Sequence, residues 1–174
     1  DPAGQLNESA DPIIETVEYT RQPLVEGNST VDSTKQYALL ICDDDCVPEH
    51  SEVKDARITS VAMLGPQSAL YSERVIEFKE AALRDAMRRS EAHFGCTASD
   101  HSIGDHEELR LWFERSGADS VILLKSPVGH SADQLELIVE KTEVPYQVVT
   151  RAYDAELWPK ASAGFFRFKK TLNL

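Results

Sequence analysis

The 174-residue sequence is poor in several things, and each shortage narrows what the chain can be. It has three cysteines, Cys42, Cys46 and Cys96. An odd and small number excludes a disulfide-stapled scaffold and suits a reducing, cytoplasmic setting. No window offers about 18 consecutive apolar residues, so no segment is predicted to cross a bilayer as a helix. The N-terminus is acidic and has no apolar run, so no secretory leader is expected in it. Basic side chains are scarce: 18 Lys and Arg stand against 30 Asp and Glu, for a net charge of −12. Such a field repels phosphate, which argues against a free-standing nucleic-acid binder or a binder of anionic membranes. Hydrophobic residues are at an ordinary 41%, which excludes wholesale disorder. The length fits one domain with some excess at its ends.

Residues 1–36 are predicted to be a flexible acidic linker. Seven acids face Arg21 and Lys35, and three prolines interrupt few apolar residues. The patch of Ile13, Ile14, Val17 and Tyr19 is the part able to dock on a surface. Residues 37–150 alternate strand and helix patterns. Tyr37–Cys42 is a short, nearly continuous apolar run of the kind buried on both faces of a parallel sheet, Ile58–Leu64 is a second, and Ser120–Leu124 and Tyr146–Thr150 read as further strands. Cys96–Ile103 is predicted to be an edge strand.

A long helix starts at Ser72, carries Val75, Ile76, Phe78, Ala82, Leu83, Ala86, Met87 and Phe94 at helical spacing, and stops at Gly95. Asp105 with Glu108 forms a capping box for a second helix that turns Leu109, Trp112 and Phe113 inward and ends at Gly117. Ser131 with Gln134 reads as a third helix start. Strands separated by helices predict an α/β, doubly wound (Rossmann-like), mostly parallel sheet of about five strands with helices on both faces. Residues 151–174 differ in character: five bases against two acids, with Tyr153, Trp158, Phe165, Phe166 and Phe168. This basic-aromatic tail is expected to dock on a partner through Trp158, Phe165, Phe166, Phe168 and Arg167.

Two segments carry chemistry in principle. Asp43–Asp44–Asp45 directly follows the first strand. An apolar strand ending in D-x-D resembles the nucleophile motif of Mg-dependent haloacid-dehalogenase-like phosphatases, with Asp43 and Asp45 in the two carboxylate roles and Lys125 as the required lysine. No later acidic pair completes the metal site. The loop Ser126–Ser131 joins a strand to a helix start, the edge where open α/β sheets bind ligands. Ser126, Gly129 and His130 are its candidate contacts for an anion or nucleotide. The five histidines form no metal-ligand spacing with a cysteine, and no metal ligands are assigned. Cys42 is expected to be a buried small hydrophobe.

The order and spacing of these segments resemble the antenna-type α/β domain of the photolyase/cryptochrome family. "YALLICDDDCVPE" is similar to that domain's first strand and loop. "ITSVAMLGPQSALYSERVIEFKEAALRDAMRRSEAHFG" is similar to its second strand, loop and long helix. "DHEELRLWFERSGADSVILLKSPVGHSADQLELIVEKTEVPYQVVT" is similar to the following helix, strand, helix and strand. "YDAELWPKASAGFFRFKK" resembles the family's aromatic exit segment, particularly that of photolyase-like bacterial flavoproteins. The likeness covers about residues 37–170. It departs at Asp43–Asp45, where the family usually carries arginines.

The resemblance implies a non-catalytic accessory domain of a flavoprotein in DNA repair or light response. It would pack on a helical flavin-binding domain that holds the FAD, with no cofactor in this chain and no direct contact with nucleic acid or membrane. A chain that starts at Asp1 and stops at Leu174 would then be the C-terminal domain of a larger protein. The alternatives are a nucleotide-binding α/β module using the 126–131 loop and the phosphatase using Asp43 and Asp45.

Overall fold

The computed structural model describes residues 30–66, 70–99, 102–161 and 164–172. Five strands form one all-parallel sheet: β1 (Tyr37–Ile41), β2 (Ile58–Met63), β3 (Thr97–Ala98), β4 (Ser120–Leu124) and β5 (Tyr146–Val149), in the order β3-β2-β1-β4-β5. The helices are α1 (Glu73–Phe94), α2 (His106–Ser116), α3 (His130–Val139), α4 (Ala152–Leu157) and α5 (Phe165–Thr171). Among the described residues no helix is long and apolar enough to cross a membrane. The predicted doubly wound fold is present.

Burial follows the strand alternation. Every residue of β1 is buried, because it lies between β2 and β4 with a layer on each face. Ala38 and Leu40 pack with Leu109 and Trp112 of α2 and with Leu135 and Ile138 of α3. Tyr37, Leu39 and Ile41 pack on the other face with Leu83, Ala86 and Met87 of α1 and with Val53 of the β1–β2 connection. Each such aliphatic side chain contributes roughly 1.5–3 kcal/mol. The chain steps outward from β1 to β2 to β3 with connections on one face. It then returns through α2 to β4 and steps to β5 with connections on the opposite face, as right-handed crossovers require. The winding therefore reverses between β1 and β4.

The helix ends bear out the expected stops, the capping box and the start at Ser72, and correct the start at Ser131. Gly95 and Gly117 adopt left-handed backbone, φ 63° and 67°, as C-terminal stops. The Asp105 carboxylate accepts the Glu108 N–H at 2.9 Å, and Glu108 reaches back to the Gly104 N–H at 2.6 Å. Ser72 sits at the N-cap of α1 but its hydroxyl makes no capping bond. Ser131 is not the cap of α3: that helix starts one residue earlier, behind Gly129 at φ 155°.

The inward face of α1 is also shorter than its apolar spacing suggests. Leu83, Ala86, Met87 and Ser90 are buried, whereas Val75 is exposed and Phe78 is 73% exposed. A helix of 22 residues runs ~33 Å, longer than a six-residue strand, so its first turns stand beyond the sheet. The expected edge strand over Cys96–Ile103 shrinks to β3 and one bridge between Leu64 and Ile103. Its few apolar residues leave little to bury. Residues 1–29 of the predicted linker lie outside the described residues. At its end, the Gln36 N–H donates to Asp119, and the Asp32 N–H to the Tyr37 hydroxyl.

Trp112 is 3% exposed, and its indole N–H donates to the buried Ser60 hydroxyl at 2.9 Å, tying α2 to β2. Trp112→Phe removes the donor and leaves that hydroxyl unpaired. The expected cost is about 1–3 kcal/mol in urea unfolding. Adding Ser60→Ala should recover part of it, and an unchanged midpoint in the single variant would contradict this account.

Candidate functional site at the carboxyl edge of the sheet

Ligands of wound α/β sheets settle beyond the strand ends, at the point where the winding reverses. Here that point lies between the ends of β1 and β4, where buried Cys42 meets Ser126, Sγ to Oγ 3.0 Å. The acidic run Asp43–Asp45 follows directly. Its chemistry is decided by what the surrounding elements bring to it.

Asp43 is held from two sides. One carboxylate oxygen accepts the Ser131 hydroxyl at 2.9 Å, and the other pairs with the Lys79 ammonium. Lys79 comes from the overhanging first turns of α1, and its ammonium also lies 4.4 Å from the Tyr71 ring centroid. The side chains of Lys79 and Asp43 are only 20% and 13% exposed, so the pair is screened little by water. Desolvation pulls the Lys79 ammonium down, but the hydrogen bond and charge of Asp43 outweigh it and leave the group above its ordinary value.

Asp45 is held separately. Arg151, the first residue after Thr150 at the end of β5, grips it with a two-pronged bond of 2.5 and 2.6 Å. The same guanidinium donates to the carbonyls of Val47 and His50 at 2.9 and 3.2 Å. Beside it, the Ala152 N–H donates to Glu52 at 2.7 Å. Arg89 of α1 pairs with Glu49 and donates to the Cys46 carbonyl at 2.6 Å. Two arginines thus pin the loop after β1, one from α1 and one from the exit of β5. Asp44 is exposed between the two clamped carboxylates.

Sequence reasoning placed Lys125 near Asp43. Lys79 takes that position instead, and Lys125 lines a groove under α3. Lys79 was missed because it lies on a helix, 36 residues downstream, and no motif marks it. Ser131 and Gln134, expected as a capping box, turn across the loop: Ser131 to Asp43, and the Gln134 amide to the Gly65 carbonyl at 3.1 Å. Of the predicted anion-loop residues, Ser126 is half-buried against Cys42, and Gly129 and His130 are exposed. His130 stands edge-on to Tyr71, centroids 6.2 Å apart.

Asp43, Tyr71, Lys79, His130 and Ser131 line a cavity of about 10 Å³, room for one water molecule. Among the described residues no group of three His, Cys, Asp or Glu side chains is disposed to hold a metal ion. Nor is any thiol primed: burial raises all three, Cys96 to about 11. Asp43 and Asp45 are therefore occupied by two internal cations and the Ser131 hydroxyl.

The tail is placed differently. Trp158 and Phe168 are half-buried, while Phe165 is 69% and Phe166 81% exposed, and Arg167 is exposed. Neither α4 nor α5 buries a residue. Tyr153 is exposed as well.

No family model, no curated protein and no solved structure matches the chain.

Asp43→Asn should remove the charge that holds Lys79. For a pair this shielded the expected cost is about 1–3 kcal/mol in denaturant unfolding near neutral pH, between exposed and fully buried pairs. Because Lys79 is raised above its ordinary 10.5, its contribution is full below that value and fades as pH rises past it. The gap between wild type and variant should therefore close in strong alkali. A gap that widens there would contradict the pairing.

Proposed function

We propose that this chain is a non-catalytic accessory α/β domain of a cytoplasmic photolyase/cryptochrome-like flavoprotein acting in DNA repair or light response. Its partner is a helical flavin-binding domain of the same parent protein, which carries the FAD. The docking element is the tail, through Trp158, Phe165, Phe166, Phe168 and Arg167. The observation that carries this reading is the pair of bare phenyl rings on α5, a helix that buries none of its residues. Covering each ring on a partner gains roughly 1.5–3 kcal/mol. Interface hot spots are built from large side chains of this kind.

The sheet edge supports the same reading from the other side. Asp43 and Asp45 are tied up by Lys79, Ser131 and Arg151, which leaves neither as a free nucleophile. A scaffold that presents a greasy, basic tail fits these facts better than an enzyme does. The parallel sheet and the pattern resemblance over residues 37–170 are consistent with an antenna-type domain.

Calorimetry of the purified chain with FAD and with AMP tests the reading. No binding of either at micromolar concentrations is expected, and FAD should accompany the parent polypeptide purified from its source. Tight FAD binding by this chain alone would overturn the proposal. Tight AMP binding, lost in a Ser126→Ala/His130→Ala variant, would point instead to a nucleotide-binding module using the 126–131 loop.

A further inference from the structure

One apolar surface of the domain itself is left open. Between α3 and the edge strand β5 runs a groove of about 390 Å³, large enough for more than one side chain. Leu135, Val148 and Tyr146 help line it, and Tyr146 is 49% exposed. Glu136 of α3 and Glu140 at its C-terminal cap line it too, one helical turn apart and both exposed, against the single ammonium of Lys125. An occupant suited to this groove carries aromatic rings for the walls and cations for the acidic rim.

The chain holds such a segment. In α5, Phe165 and Phe166 are the exposed rings, and Arg167, Lys169 and Lys170 are exposed cations beside them. The tail from Arg151 onward has five bases and two acids, whereas the whole chain carries −12. The remainder is therefore strongly acidic, opposite in sign to the tail.

We propose that the groove between α3 and β5 receives the α5 segment of a second copy of this chain, giving a two-fold dimer. Each copy offers one groove and one tail, so in a two-fold pair each tail can fill the other copy's groove and no groove is left open. The phenyl rings of α5 enter the groove, and Lys169 and Lys170 meet Glu136 and Glu140 at its rim. The inference rests on the tail being a docking element and assigns it a self-partner. A helical domain that captures the tail would release the dimer.

Sedimentation velocity on the full chain tests it. The expected species at low salt has twice the 19.4 kDa chain mass. It should weaken at about 0.5 M salt, where rim charges are screened. Glu136→Lys/Glu140→Lys should weaken association at least tenfold, and Lys169→Glu/Lys170→Glu should do the same. Both pairs are exposed, so circular dichroism should show an unchanged fold. Mixing the two variants, or combining all four changes in one chain, restores opposite charges and should restore the dimer. Phe165→Ser/Phe166→Ser should abolish it in every background. A monomer at all concentrations overturns the inference, and so does a dimer indifferent to both charge pairs. Failure here with no FAD bound leaves the accessory-domain reading standing. FAD binding by a dimeric chain would sink that reading alone.

Discussion

The structure depends on what happens to two carboxylates at the end of its central strand. β1 is buried on both faces, so the chain that leaves it emerges where water is limited and the neighbouring strand ends crowd together. Asp43 and Asp45 sit there as charges in a partly desolvated place, a costly arrangement unless each is paired. The pairs come from distant parts of the chain. Lys79 is supplied by α1, Ser131 by the first turn of α3, and Arg151 by the exit of β5. Neutralising the run therefore also ties α1, α3 and the root of the tail to the middle strand. The same contacts occupy the oxygens that an enzyme would need free.

That coupling explains how the body and tail divide the work. Arg151 is both the last anchor of the domain and the first residue of the basic segment. Beyond it the chain makes short helices, α4 and α5, in which no residue is fully buried. The body closes its own reactive edge and concentrates its exposed rings and cations at the C-terminal end. This distribution is what the proposed accessory role rests on: paired carboxylates at the sheet edge and bare rings on α5. The acidic rim of the α3–β5 groove and the basic face of α5 are opposite in charge within one sequence, and the proposed pairing of two copies rests on that complementarity.

Much of the fold could be read from the residues because it rests on local patterns. Four of the strands are mostly apolar runs, and each falls within one residue of its expected span. Gly95, Gly117 and the Asp105–Glu108 pair mark helix ends through short-range backbone chemistry. What could not be read involves distance and length. Phe78 has the right spacing for burial, yet the helix outruns the sheet and leaves it in solvent. Ser131 has the sequence of a cap, yet a carboxylate 88 residues away claims its hydroxyl. The acidic run looked reactive because its three cationic and hydroxyl partners lie in elements that only the fold brings together.

The central claim is that Asp43 and Asp45 are structural anchors satisfied from within. The most direct test is a magnesium titration of the isotopically labelled chain followed by NMR. Millimolar Mg²⁺ should leave the amide signals of Cys42–Asp45, Lys79 and Ser131 in place, with at most weak, non-saturating drift at exposed acids. Saturable shifts confined to those residues would show that the carboxylates are free to take a metal ion, and would contradict the account.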